Sequence, residues 1–292
     1  MDASVFIDVR HELGEGPLWH DERGELFWFS ILAGELHASP FDAGDRRIWS
    51  FGEPASAAAI VDRDTLLVAT AGGLERFDIA TGRRTRVCPF DPARPATRSN
   101  DGRGGPGGAF WIGTMGLGAE AGAGSLYRFA NGTLTVKRRG ITIPNAICFA
   151  PDGGFAYFSD SVTQTIMRWR LDHETGDTVG EPELFVDLRP ERLFPDGSVT
   201  DCEGCVWNAQ WGAGRVARYD PSGRFIGAVA VPARQVTCPA FGGPDMKTLF
   251  VTSGWEHMDE GARGGDPLAG AVFAIDAGVA GAPEFRVALT AP

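Results

Sequence analysis

Lysine is almost missing from this 292-residue chain: Lys137 and Lys247 are the only two among 27 basic residues. Schiff-base chemistry and phosphate loops are left with almost no candidates, because Lys247-Thr248 lacks the glycine that a phosphate loop places before its lysine. The five histidines (His11, His20, His37, His173, His257) are scattered, with no His-Glu-x-x-His pair for zinc, and no Gly-x-Ser-x-Gly nucleophile elbow occurs. Cysteine is sparse and odd in number, at five, which excludes a disulfide framework. Cys202 and Cys205 form a lone C-x-x-C around a turn glycine, and without a second pair they read as ordinary residues beside a hairpin. No run of about 18 apolar residues could cross a bilayer, and Met1–Asp8 has no basic-then-apolar leader, so a cytoplasmic protein without a membrane partner is expected. Basic runs are limited to Arg83-Arg84 and Lys137-Arg138-Arg139 in a chain of net charge −11, which excludes nucleic acid as a partner. No segment of ten residues or more carries the 3.6-residue apolar period of a helix.

Short apolar strands recur instead, each after a Gly- or Asp-rich turn. Trp28, Leu67, Trp111, Tyr157, Trp207 and Phe250 mark equivalent positions, at intervals of 39, 44, 46, 50 and 43 residues. A period of about 44 residues with several strands per period is one propeller blade. Partner strands such as Gly73–Asp78, Gly124–Phe129, Ile166–Leu171, Gly214–Asp220 and Gly270–Asp276 alternate apolar with Arg or Glu, the period of a half-buried strand. The 40 glycines and 19 prolines, about a fifth of the chain, supply the turns. Six units account for nearly the whole length. The fold expected is all-β: a six-bladed β-propeller of four-stranded antiparallel blades around a central channel, one domain over 1–292, with long loops at 113–124 and 185–196.

Four polar positions are expected in Gly/Pro-rich junctions that connect to the aromatic strands from just upstream: Glu15 in Leu-Gly-Glu-Gly-Pro, Asn100 in Ser-Asn-Asp-Gly, Asn145 in Ile-Pro-Asn-Ala and Asp196 in Phe-Pro-Asp-Gly. They precede their blade's aromatic marker by 13, 11, 12 and 11 residues, so rotation about the axis brings them to one mouth. Only four asparagines exist in the chain, and two stand here. Each motif alone is a common turn, as Pro151-Asp152-Gly153 is. At equal phase in four blades they become an oxygen cluster suited to a hard divalent cation such as Ca²⁺, Mg²⁺ or Mn²⁺, with Zn²⁺ or Fe²⁺ also held by carboxylates.

Leu-Gly-Glu-Gly-Pro-Leu-Trp (13–19), Arg-Ser-Asn-Asp-Gly (98–102) with Trp-Ile-Gly-Thr-Met (111–115), Gly-Ser-Leu-Tyr-Arg (124–128), Pro-Asn-Ala (144–146) with Tyr-Phe-Ser-Asp (157–160), Pro-Asp-Gly (195–197) and Phe-Gly-Gly-Pro-Asp-Met-Lys-Thr-Leu (241–249) together resemble the gluconolactonase, regucalcin (senescence marker protein) and luciferin-regenerating-enzyme family, from about residue 12 to about 276. The resemblance implies one divalent metal on Glu15, Asn145 and Asp196, and substrate contacts from Arg98, Asn100 and, by a looser match, Glu120. It implies a sugar-lactone hydrolase in carbohydrate metabolism, a carboxylic-ester hydrolase in which the metal polarises the lactone carbonyl and Asp196 is the general base. The substrate would be an aldono-1,4- or 1,5-lactone such as gluconolactone. The Phe-Gly-Gly-Pro-Asp run resembles bacterial members acting on arabinono-, xylono- or galactonolactone. Gly104-Gly105 departs from the family where an aspartate is usual, a difference expected to touch only a turn. A monomer or weak homo-oligomer is expected. A calcium-binding regulatory protein of regucalcin type, an organophosphate or ester hydrolase on the same propeller, and a protein-binding platform are the rival readings.

Overall fold

In the computed structural model, which describes residues 2–90 and 96–289, six four-stranded antiparallel sheets stand in a ring. The innermost strands, one per blade, are Gly14–His20, Ala55–Asp62, Thr97–Gly105, Pro144–Phe149, Phe194–Thr200 and Val236–Gly242. Each hairpins into a second strand: Glu25–Ser30, Thr65–Thr70, Ala109–Gly116, Phe155–Asp160, Val206–Trp211 and Thr248–Ser253. The six marker residues all lie in these second strands and are all buried. Sequence periodicity therefore located the blades. The one α-helix among the described residues is the six-residue Glu260–Gly265.

Burial falls from axis to rim because only the outermost strand of each sheet faces water. Ala109–Gly116 is buried throughout, whereas the outer strands Arg84–Pro89 and Thr133–Ile141 are mostly exposed. The alternation expected of the third strands is weak: Gly124–Ala130 is buried at every position, since both faces of a propeller sheet pack on a neighbouring blade. The core is accordingly divided into wedges. Phe27, Phe29, Ile60, Leu66 and Phe77 fill the seam between the first two blades, and Trp207, Phe241, Leu249 and Phe273 that between the last two.

The ring closes through the chain's start. Ser4–Ile7 forms the outer strand of the last blade, pairing antiparallel with Val272–Asp276. At the other end of the chain, residues 281–289 run across the face of the ring where the innermost strands end. Ala282 N–H donates to Thr200 O (3.1 Å), Val287 N–H to Ile60 O (2.8 Å) and Ala288 N–H to Gly108 O (3.0 Å). Glu284 pairs there with the buried Arg103.

Two expectations need correction. The Gly/Pro-rich segments are not connections between strands; they are the innermost strands themselves, and the loops are correspondingly shorter, 117–123 and 188–193. Gly104-Gly105 likewise ends the innermost strand Thr97–Gly105, and a Cβ at Gly105 would lie 2.5 Å from the ring of Phe149. These strands are glycine-rich because six backbones crowd one axis. At Gly197 an added Cβ would lie 2.3 Å from Cys238 Sγ and 2.8 Å from its Cα in the next blade. Gly197→Ala should therefore destabilise the fold by about 2 kcal/mol through overpacking; an unchanged denaturation midpoint would show that the inner strands have room to spare.

Candidate metal and lactone site

Every innermost strand is interrupted near its start by one extra residue relative to its partner. The register shifts fall between Glu15 and Leu18, Ala55 and Ala57, Ser99 and Gly102, Asn145 and Cys148, Pro195 and Ser198, and Val236 and Pro239. A bulge bends the strand and re-aims its side chains. In the first blade it needs Gly16, whose φ is +53° and whose missing Cβ would stand 2.2 Å from Ser56 O of the next blade. The polar positions singled out in the sequence all lie at or within these bulges, which is why four ordinary turn motifs converge.

Glu15, Arg98, Asn100, Asn145 and Asp196 together line a pocket of about 310 Å³ at that end of the channel, the small end of the range for ligand cavities. All five are buried. A hydrogen-bond chain orders them: Arg98 Nη1 donates to Asn100 Oδ1 (2.8 Å), and Asn100 Nδ2 donates to Asn145 Oδ1 (3.0 Å) and Pro144 O (2.9 Å). Asn145 Nδ2 in turn donates to Ser161 Oγ (2.9 Å), which donates to Pro195 O (2.6 Å) beside Asp196. With its amide nitrogen so engaged, Asn145 presents its oxygen toward the cluster, and one lone pair remains after the Asn100 bond. Glu15 Oε2 accepts from Gly16 N–H (2.8 Å).

Electrostatically the site is crowded with negative charge. Burial, then the facing Asp101, pushes the Glu15 carboxyl up; burial, then Glu15, pushes Asp196 well above the usual range. The two carboxyls act on each other directly across the pocket floor. Asp101, pushed up to about 6 by burial, accepts from Ile147 N–H (2.7 Å). Among the described lining residues Arg98 is the only Arg or Lys, and it faces Glu15, Asp196 and Glu256. Two buried carboxylates and an amide oxygen with so little countercharge fit a divalent cation, which would take the place of the protons that burial favours on them.

Glu120 does not join this set. It is exposed on loop 117–123, and its carboxylate turns back to accept from Gly118 N–H (3.1 Å). Several lining residues carried no signal in the sequence reading: Ser161, Trp211, Glu256 and His257, and the mouth residues Leu117, Val162 and Phe194. Asp101 stood beside Asn100 in the motif without a role. A different acidic group, Asp201, Glu203 and Cys205, brings three ligand-type atoms within 4.8 Å. Its charge is already answered: Asp201 accepts from Arg218, Trp207 Nε1–H and the Cys205 N–H, and Glu203 pairs with Arg218. Cys202 and Cys205 are free thiols around Gly204, as read from the sequence. His11, held neutral by burial with a pKa of about 3, accepts from Trp28 Nε1–H (2.9 Å) and belongs to the core.

Residues 13–254 match the family described as the SMP-30/Gluconolactonase/LRE-like region. An L-arabinolactonase from Azospirillum brasilense is 38% identical, over 99% of this chain and 96% of its own. A pentonolactonase from Haloferax volcanii is 34% identical, over 98% of both chains. The crystal structure of a calcium-binding protein, regucalcin, from Agrobacterium tumefaciens superposes with a TM-score of 0.92 at 42% identity, covering 97% of this chain and 95% of that one.

The raised carboxyls set a pH dependence. Because Glu15, Asp101 and Asp196 hold protons in the folded state that the unfolded chain has released, stability of the metal-free protein falls as pH rises above about 4.5. A bound divalent ion competes with those protons, so Ca²⁺ or Mn²⁺ should raise the thermal midpoint more at pH 8 than at pH 5.5. A shift that is equal at both pH values would place the ion away from these carboxylates.

Proposed function

The chain belongs to the SMP-30/gluconolactonase/LRE-like family, and on that premise we propose that it is a metal-dependent sugar lactonase, opening an aldonolactone to the aldonic acid. The observation that carries this reading is the placement of Glu15, Asn145 and Asp196 in one small pocket with Arg98 and Asn100. Glu15, Asn145 and Asp196 would hold the ion, and a divalent cation there supplies Lewis-acid polarisation of the lactone carbonyl. Oxygen donors and excess negative charge support that assignment without choosing between Ca²⁺, Mg²⁺, Mn²⁺, Zn²⁺ and Fe²⁺.

The remaining work falls to the chain. Asp196 accepts the proton of the attacking water as its oxygen bonds to the acyl carbon. When the ring C–O bond breaks, that proton passes to the departing ring oxygen, leaving a hydroxy acid. Arg98 and Asn100 bind substrate hydroxyls: the guanidinium is oriented by its bonds to Asn100 Oδ1 and Ser99 O (3.0 Å), leaving further N–H groups for ligand. Ser161 keeps Asn145 in register by accepting from its amide. Glu120 has a part only if loop 117–123 turns its carboxylate inward. The same cluster would bind calcium in a protein without turnover, the property named for the Agrobacterium relative, so catalysis must be measured directly.

Acid release from a panel of pentono- and hexonolactones should require a divalent ion and stop with chelator; no metal-dependent rate on any of them rejects the enzyme. Asp196→Asn should lower kcat by about 10³-fold or more, and Glu15→Gln should abolish ion binding. Folding of Glu15→Gln is not at risk, since it removes one of two mutually repelling buried carboxylates, and its metal-free thermal midpoint at pH 8 should equal or exceed that of the parent.

A further inference from the structure

The pocket changes character from floor to mouth. Glu15, Arg98, Asn100, Asn145 and Asp196 gather at the floor, whereas the mouth carries Leu117, Val162 and Phe194, which are 61%, 50% and 43% exposed. They come from three consecutive blades: Leu117 follows the second strand of the third blade, Val162 sits in the turn Ser161–Thr163 of the fourth, and Phe194 begins the innermost strand of the fifth. Met115, Ile143 and Trp211 add to the apolar lining, and Glu256 and His257 of the sixth blade add polar groups to it. Large side chains left in water at three neighbouring points of a binding pocket form an apolar collar along one arc.

We propose that this collar selects lactones whose exocyclic chain ends in a methyl group, the 6-deoxyhexonolactones, over their hydroxymethyl counterparts and over lactones with an anionic terminal group. The inference rests on the lactonase reading. With the carbonyl at the Glu15–Asn145–Asp196 floor, the far end of so small a ligand lies at the mouth, against Leu117, Val162 and Phe194. A terminal methyl there loses contact with water and nothing else. A terminal hydroxyl gives up water against three side chains, Leu117, Val162 and Phe194, that carry no donor or acceptor. A terminal phosphate, sulfonate or carboxylate finds no cation either: Arg98 is the only guanidinium or ammonium among the described lining residues, and it already answers Asn100, Glu15, Asp196 and Glu256. Burying one methyl is worth about fourfold in kcat/KM, and sparing the hydroxyl's desolvation raises the discrimination to about tenfold.

The test compares kcat/KM on matched pairs of the same configuration, such as 6-deoxygalactono-1,4-lactone against galactono-1,4-lactone in both enantiomeric series, with the corresponding aldaric-acid monolactone, galactaro-1,4-lactone, as the anionic member. The parent should favour the deoxy member of its preferred series by about tenfold and turn over the anionic one least. Leu117→Asn and Val162→Thr alter exposed side chains whose change leaves the core untouched, and together they should bring the ratio within a pair toward one, mainly through KM. A ratio near one in the parent, or a ratio unmoved in the double variant, overturns the collar while leaving the lactonase standing. Failure to hydrolyse every lactone overturns the lactonase reading and the collar with it.

Discussion

Six backbones brought to one axis leave little space between them, and most of what distinguishes this molecule follows from that crowding. The innermost strands must be built from residues with small or absent side chains; hence Gly16 beside Ser56 and Gly197 against Cys238. They must also splay at one end to leave a cavity, and the extra residue in each innermost strand does this at the same level in all six blades. The cavity, the convergence of Glu15, Asn100, Asn145 and Asp196, and the glycine-rich composition are three consequences of one packing problem.

Charge is arranged along the same axis. At the pocket floor Glu15 and Asp196 repel each other and are pushed toward the protonated form, a cost that only a cation removes. Below them Asp101 is held by the Ile147 N–H, and below that Arg103 meets Glu284 from the final segment. Glu284 thus gives Arg103 a partner of its own, so the guanidinium is not drawn up to neutralise the floor. The segment 281–289 closes the ring's far face and, in doing so, separates a neutral ion pair from an acidic site that retains its demand for a metal.

Fold and floor were legible in the sequence because they depend on repetition. Markers such as Trp111 and Trp207 recur at blade spacing because each fills the seam toward the following blade, whereas Trp28, out of phase with them, packs against the last blade, and the polar residues recur at nearly constant offset because each sits at the same bulge. What was misread is equally physical. Glycine and proline mark turns in most proteins, so Gly-Glu-Gly-Pro and Phe-Pro-Asp-Gly read as connections, although crowding makes them strands here. Glu120 was assigned through a motif match alone, and its loop has no periodic counterpart to fix its direction; its carboxylate bonds within its own loop. Ser161 could have been found only from its neighbour, since its role is to accept from Asn145.

The mouth was invisible for the complementary reason. Leu117, Val162 and Phe194 stand at different sequence offsets in loop, turn and strand start, and an exposed leucine or valine alone carries no information. Only their placement above one polar floor gives them meaning. The floor residues are constrained three ways at once, by burial, by hydrogen bonding and by mutual charge, so changing one breaks the cluster. Leu117 and Val162 are constrained by almost nothing in the fold, since water reaches both. A propeller built this way separates the chemistry it performs from the substrate it selects: the axis holds the first in place, and loop tips can vary the second without cost to stability.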